Sequence, residues 1–273
     1  MNTILEKFIL NNSRSSTTII DGNEYIYFGG TSYYELHRND EVINSAINSL
    51  KKFGLSTSSS RSSFGNHQLI IDLEKEASDF FEVQDSVYLS SGFLSASTLI
   101  YYLNEKNSFD VIFIDEHSHY SGQLASKISS NKVIKFNHLD YNDLEEKIVE
   151  YSDSQKLKPL IITDGIFPIY GNIAPIDKYH DIAKKYNAIV YLDDSHGIGI
   201  LGEKGKGTLE HFKIDNQNIF FSGTFSKAFG GYGGIIPINN NISNEIKNSS
   251  IVNGATPVPI PAISASLKGL QIF

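Results

Sequence analysis

The chain has 273 residues, a formal charge of −8 and an apolar fraction of 40%, with Tyr and Phe plentiful. That length holds one large domain, or one and a half, and the composition is globular rather than disordered or fibrous. The negative balance argues against a general affinity for nucleic acid or anionic membrane, although a local nest of backbone N–H groups can still bind phosphate. The chain has no cysteine, which excludes disulfides, thiolate chemistry and Cys-based metal sites.

The start, Met1 to Lys7, has no basic region leading into an apolar core, and no apolar run reaches membrane-spanning length. A soluble, cytoplasmic protein without a membrane span is expected. In chain order, the apolar runs predict strands at Tyr25–Phe28, Ser86–Ser90, Val111–Asp115, Val133–Phe136, Leu160–Thr163, Ala188–Asp193, Ile219–Ser222 and Gly234–Ile238. Helical patterns fall between them at Asp40–Lys52, Leu69–Phe81, Leu94–Leu103, Asn142–Tyr151 and Ile176–Tyr186, with a serine-rich loop at Ser56–Ser63. Nearly continuous apolar strands that alternate with helices predict an α/β fold: a mostly parallel central sheet in a three-layer α-β-α arrangement. The chain stops at Phe273 straight after an amphipathic stretch from Ala262, without a polar tail, and reads as cut.

In such sheets ligands bind outside the carboxyl ends of the strands. Polar and glycine residues collect there: Ser90-Ser91-Gly92, Asp115 to His119, Asp164-Gly165, Asp193 to His196 and Ser222-Gly223-Thr224. Five clusters at equivalent places point to one site along one edge.

The strongest signal is Ser222-Gly223-Thr224-Phe225-Ser226-Lys227-Ala228-Phe229-Gly230-Gly231. A lysine set among small and apolar residues after a strand suits a pyridoxal-phosphate (PLP) enzyme, which holds its cofactor as a Schiff base and needs a partly neutral amine. The hydroxyls of Ser222 and Thr224 are candidates for the phosphate. A surface lysine in a glycine-rich turn is the plain alternative. The second signal is Asp193-Asp194-Ser195-His196-Gly197. A carboxylate at the end of its strand, Asp193, can keep the pyridine nitrogen protonated. His196 can bond the ring's oxygen or lie over the pocket. Alone, an Asp pair after a strand is a turn or helix cap. Third, Ser90-Ser91-Gly92-Phe93 leads a strand into a helix, so the N–H groups of Gly92 and Phe93 can meet a phosphate dianion, although most such turns bind nothing. Fourth, Asp115-Glu116-His117-Ser118-His119-Tyr120 carries two histidines at i and i+2. There is no third ligand pattern, so no metal is expected. A flat ring can stack on a flat cofactor, and His119 is chosen for that role, with His117 read as a polar loop residue.

Taken together and in order, these residues resemble the α-oxoamine synthase family, class-II PLP-dependent acyltransferases that include aminooxononanoate synthase, aminoketobutyrate CoA ligase, aminolevulinate synthase and serine palmitoyltransferase. Gly223–Lys227 resembles its lysine motif, Asp193–Gly197 its Asp-Asp/Glu-Ser/Ala-His signature, and Asp115–Ser121 the segment with the ring-stacking histidine. Asp164–Phe167 with Gly171, and Gly202–Gly207, match further family segments.

The resemblance implies a fold-type I PLP enzyme with Lys227, Asp193, His196 and His119 in catalytic roles. It implies a homodimer with a shared active site, in which Thr256 reaches the partner's phosphate. It implies condensation of an L-amino acid with an acyl-CoA or acyl-carrier-protein thioester, with loss of CO2, to an α-amino ketone. It divides the chain into an N-terminal segment and linker helix (1–50), a PLP-binding large domain (51–250) and the start of an interdomain helix (251–273), without the family's small C-terminal domain and its carboxylate-binding arginine. Departures are Pro168 where the family has serine, Thr31-Ser32 near the start, and Ile70 in place of a histidine. They leave an aminotransferase, another fold-type I enzyme or a non-catalytic PLP-binding paralogue as alternatives.

Overall fold

The computed structural model describes residues 16–152, 157–215, 218–239 and 241–273. An antiparallel hairpin opens it, pairing β1 (Thr17–Ile20) with β2 (Asn23–Ile26). Its turn uses Asp21 and Gly22, both at positive φ. The central sheet holds β3 (Asp85–Leu89), β4 (Val111–Asp115), β5 (Lys132–Phe136), β6 (Pro159–Asp164), β7 (Ile189–Asp193), β8 (Ile219–Thr224) and β9 (Gly234–Ile238). Their spatial order is β3-β9-β8-β7-β6-β4-β5. Every strand runs the same way except β9, which is antiparallel to both of its neighbours.

Helices cover both faces: α1 (Asp40–Phe53), α2 (Gln68–Phe81), α3 (Gly92–Glu105), α4 (Tyr120–Ala125), α5 (Tyr141–Ser152), α6 (Ile176–Tyr186), α7 (Thr208–Phe212), α8 (Ser243–Lys247), α9 (Ser250–Asn253) and α10 (Ile260–Ile272). The period-2 alternation of each strand divides its side chains between two cores. Phe113, Ile161, Val190 and Leu192 pack with Leu73 of α2 and Tyr179 of α6 on one face. Ile112, Ile114, Ile162 and Tyr191 pack with Leu99 and Ile100 of α3 on the other. Parity therefore sends Asp164 and Asp193, two steps beyond Ile162 and Tyr191, to the α3 face at the strand ends.

The N-terminal segment is tied to the body by α1, which packs along α10. Ser45 Oγ lies 2.7 Å from Ser264 Oγ across that contact. Asn39 caps α1, accepting from the N–H groups of Glu41 and Val42 at 2.9 and 3.4 Å.

The Ser56–Ser63 stretch is more than a simple loop, because Arg61 forks onto the buried carboxylate of Glu74 at 2.7 and 3.1 Å. Among the described residues no helix is long and apolar enough to cross a membrane.

Candidate active site

The carboxyl ends of β6, β7 and β8 and the N-termini of α3 and α4 enclose a cavity of about 450 Å³, within the roughly 300–1,000 Å³ usual for small-molecule sites. Gly92, Phe93, His119, Ser121, Asp164, Pro168, Asp193, Ser195, His196, Thr224, Ser226, Lys227 and Tyr232 all line it. Seven of the residues singled out in the sequence thus come together: Gly92, Phe93, His119, Asp193, His196, Thr224 and Lys227.

Lys227 stands on the turn that follows β8. Phe225 and Phe229 on either side are wholly buried and anchor that turn in the core. Gly230 completes it at φ +64°, where a Cβ would lie 2.2 Å from the backbone nitrogen of His37. Thr224 Oγ1 donates to Gly233 O at 2.9 Å and accepts from Ser226 N–H at 3.2 Å. Burial pushes the Lys227 amine down to about 8, and the negative charges of Asp193 and Asp164 oppose the fall.

The two adjacent aspartates separate by strand parity. Asp193 faces the cavity and accepts from Ser121 Oγ at 3.0 Å and from Ser195 N–H at 3.2 Å. Ser121 Oγ also lies 2.7 Å from His119 Nδ1, so histidine, serine and aspartate form one chain of contacts. Asp194 points away and is wholly buried. It accepts from Thr208 N–H at 2.7 Å and Thr208 Oγ1 at 2.5 Å, and burial raises its carboxyl to about 7. Glycines make room for it: a Cβ at Gly197 or Gly207 would come within 1.9 or 2.1 Å of its carboxylate oxygens.

His119 begins α4, and its N–H reaches both carboxylate oxygens of Asp164 at 3.2 and 3.1 Å. Burial, then the charge of Asp193, raises the Asp164 carboxyl well above the usual carboxylate range. His196 sits on the turn after β7. Burial, then the charge of Lys227, lowers its imidazole to about 4, and Tyr33 Oη lies 2.6 Å from its Nδ1.

At the head of α3, Ser91 accepts from Leu94 N–H at 3.3 Å as the N-cap, so Gly92 and Phe93 supply first-turn N–H groups to the cavity. A Cβ at Gly92 would lie 2.8 Å from Thr224 Cβ.

Two expected ligands lie elsewhere in this chain. Ser222 is wholly buried one strand repeat below Thr224, and its Oγ is paired with Tyr191 Oη at 2.7 Å beneath the cavity floor. A hydroxyl on the right face is not enough; it must also stand at the end of the strand. Thr256 lines a separate void of about 30 Å³ with Arg61, Tyr88 and Ser90. His117 does more than fill a polar loop: its ring lies flat on Tyr170, with centroids 4.8 Å apart and planes at 18°.

Asp164, Ser121, Ser195 and Tyr33 join the site beyond the residues that the sequence motifs assign to it. The strand-end rule already marked Asp164. Nothing local marked Tyr33, because its partner is 163 residues away.

A family model described as Aminotransferase class I and II matches residues 26–270. The putative 8-amino-7-oxononanoate synthase of Acetivibrio thermocellus is 34% identical over 266 residues, which is 97% of this chain and 67% of that protein. The serine palmitoyltransferase of Sphingobacterium spiritivorum is 33% identical over 267 residues, covering 97% of this chain and 65% of that protein. Among solved structures, a serine palmitoyltransferase from S. paucimobilis with bound PLP superposes with a TM-score of 0.88 at 22% identity, covering 97% of this chain and 68% of that one; at that identity the likeness is one of fold. The chain spans about two thirds of the length of the proteins it matches.

Proposed function

Given that the chain belongs to the aminotransferase class I and II family, and within it to the α-oxoamine synthases, we propose that it is a PLP-dependent acyltransferase acting on an L-amino acid and an acyl thioester of CoA or a carrier protein. In the overall reaction a bond forms between the amino acid's α-carbon and the acyl carbonyl carbon. The thioester C–S bond breaks and releases a thiol, and the α-carboxylate leaves as CO2.

The residues of the cavity fit the cofactor. Lys227 offers a buried amine pushed to about 8, and Asp193 a carboxylate held in place by Ser121 and Ser195. Gly92 and Phe93 bring N–H groups that suit a phosphate, and Thr224 a hydroxyl. The observation that carries the reading is that Lys227 and Asp193 line the same cavity. PLP bound there supplies an electron sink for the pair of electrons left at the amino acid's α-carbon.

Lys227 Nζ would hold the cofactor and would take the α-proton of the amino acid. Its depressed pKa leaves a useful share of the amine neutral near physiological pH. Asp193 would keep the pyridine nitrogen protonated. The ring of His119 would lie against the cofactor. His196 would face developing negative charge on an oxygen.

The homodimer, with Thr256 serving the partner's site, and a cytoplasmic location belong to the same proposal, as does the division into 1–50, 51–250 and 251–273. Phe93 and Tyr120, next to cavity residues Gly92 and His119, are 41% and 76% exposed, apolar surface that a second subunit would cover.

The test is release of free CoA thiol from acyl-CoA in the presence of glycine, serine, alanine or threonine. Amino-acid-dependent release that Lys227→Ala abolishes supports the reading. Amination of a keto acid without thiol release would instead make the protein an aminotransferase.

A further inference from the structure

Tyr33 belongs to the segment before the 3-10 turn at Leu36–Arg38, far from β7 in sequence. Its Oη nevertheless lies 2.6 Å from His196 Nδ1. The ring centroids are 6.3 Å apart with planes at 54°, so the contact is a polar bond and not a stack. The next residue clamps the same turn: Tyr34 Oη donates to Gly199 O at 2.7 Å. From beneath, the turn is fixed by the bonds of Gly197 and Ile198 N–H to Asp194 O, at 3.0 and 2.9 Å.

The direction of the Tyr33–His196 bond follows from the chemistry of the two groups. Burial and Lys227 keep the His196 imidazole neutral near physiological pH, so it carries one N–H on two nitrogens. Burial raises the Tyr33 phenol, which keeps its proton. A phenol is a more acidic donor than an imidazole N–H, and a bare imidazole nitrogen is a more basic acceptor than a phenol oxygen. The short bond therefore runs from Tyr33 O–H to Nδ1. The single ring proton is then left on Nε2, and the bond made by one nitrogen sets the tautomer of the other.

We infer that Tyr33 is a positioning residue that locks His196 as the Nε2–H tautomer, so that His196 presents a hydrogen-bond donor, rather than a lone pair, to an electron-rich oxygen in the cavity. The oxygen it serves rests on the acyltransferase reading; the tautomer itself does not.

The test is 15N-histidine NMR of the whole chain without cofactor, with His196→Gln identifying the His196 signals. Nδ1 should show the shift of a bare nitrogen and Nε2 that of a protonated one. Tyr33→Phe, which removes one oxygen, should collapse the two toward an exchanging average. Tyr34→Phe, which loses the clamp on Gly199, should leave them apart. A proton on Nδ1 in the unsubstituted chain, or an unchanged Tyr33→Phe spectrum, overturns the inference. So does the same collapse in Tyr34→Phe, which would make loop order and not this bond the cause. Absence of thioester chemistry would sink the acyltransferase reading and leave this result standing.

Discussion

Asp164 and Asp193 are register partners on the neighbouring parallel strands β6 and β7, and both line the same cavity. The charge of Asp193 and burial together disfavour the charged form of Asp164. Asp164 is the deeper-set acid, raised well above the usual carboxylate range, and accepts from the His119 N–H. Asp193 takes a serine hydroxyl and a backbone N–H.

That division gives the two positions different sensitivities. Burial and the charge of Asp193 disfavour the charged form of Asp164, so Asp164→Asn, which keeps the shape and removes that charge, should change activity and PLP affinity by no more than about threefold. Asp193→Asn removes the carboxylate proposed to pair with the cofactor and should lower turnover on the order of 10²-fold. Steady-state kinetics and PLP titration of the two variants check this. Equal losses in both would contradict it.

Only a neutral amine attacks the cofactor's carbonyl, so the rate of PLP uptake reports the ionisation of Lys227. The rate should rise with pH through about 8 and then level, well below the value of about 10.4 for an ordinary lysine. Asp193 holds the amine up, so Asp193→Asn should move the midpoint lower. Stopped-flow absorbance across pH checks both, and a midpoint near that of free lysine would contradict the burial of the amine.

Asp194 titrates at about 7 in the folded chain, against about 3.9 when unfolded. The folded state therefore holds its proton more tightly. The stabilisation is complete below the unfolded value and is lost as pH rises through the folded one. Relative to Asp194→Asn, the unsubstituted chain should lose up to about 1.4 kcal/mol per pH unit between roughly pH 4 and 7, and no more above that. Urea unfolding of both chains at several pH values measures the difference, and a flat difference would contradict the buried acid.

Much of this was legible in the sequence. Val111–Asp115 and Gly234–Ile238 coincide with β4 and β9 because strands covered on both faces need apolar residues throughout. The strand-end rule marks Asp193 and Thr224 because chain direction alone places those ends together, and the motif that follows β8 adds Lys227. Other features left no local trace. The antiparallel sense of β9 depends on how the chain returns, which apolar pattern does not record. The apolar run predicts the first strand at Tyr25–Phe28, whereas β2 spans Asn23–Ile26 and pairs with β1, which no apolar run predicts. The six residues of α4 are too few to show a helical period, yet they deliver Ser121 to Asp193. Ser222 looked like a ligand because a hydroxyl near a strand end looks the same whether it stands on the rim or one repeat below. Tyr33 was invisible because no sequence pattern links it to a histidine brought close only by the fold.

The most direct test of the account is where the cofactor attaches. Borohydride reduction of the PLP-loaded protein, followed by peptide mass mapping, should place the pyridoxyl group on Lys227 alone, and Lys227→Ala should give no adduct. An adduct on another lysine, or one that persists in Lys227→Ala, would contradict the assignment of this cavity.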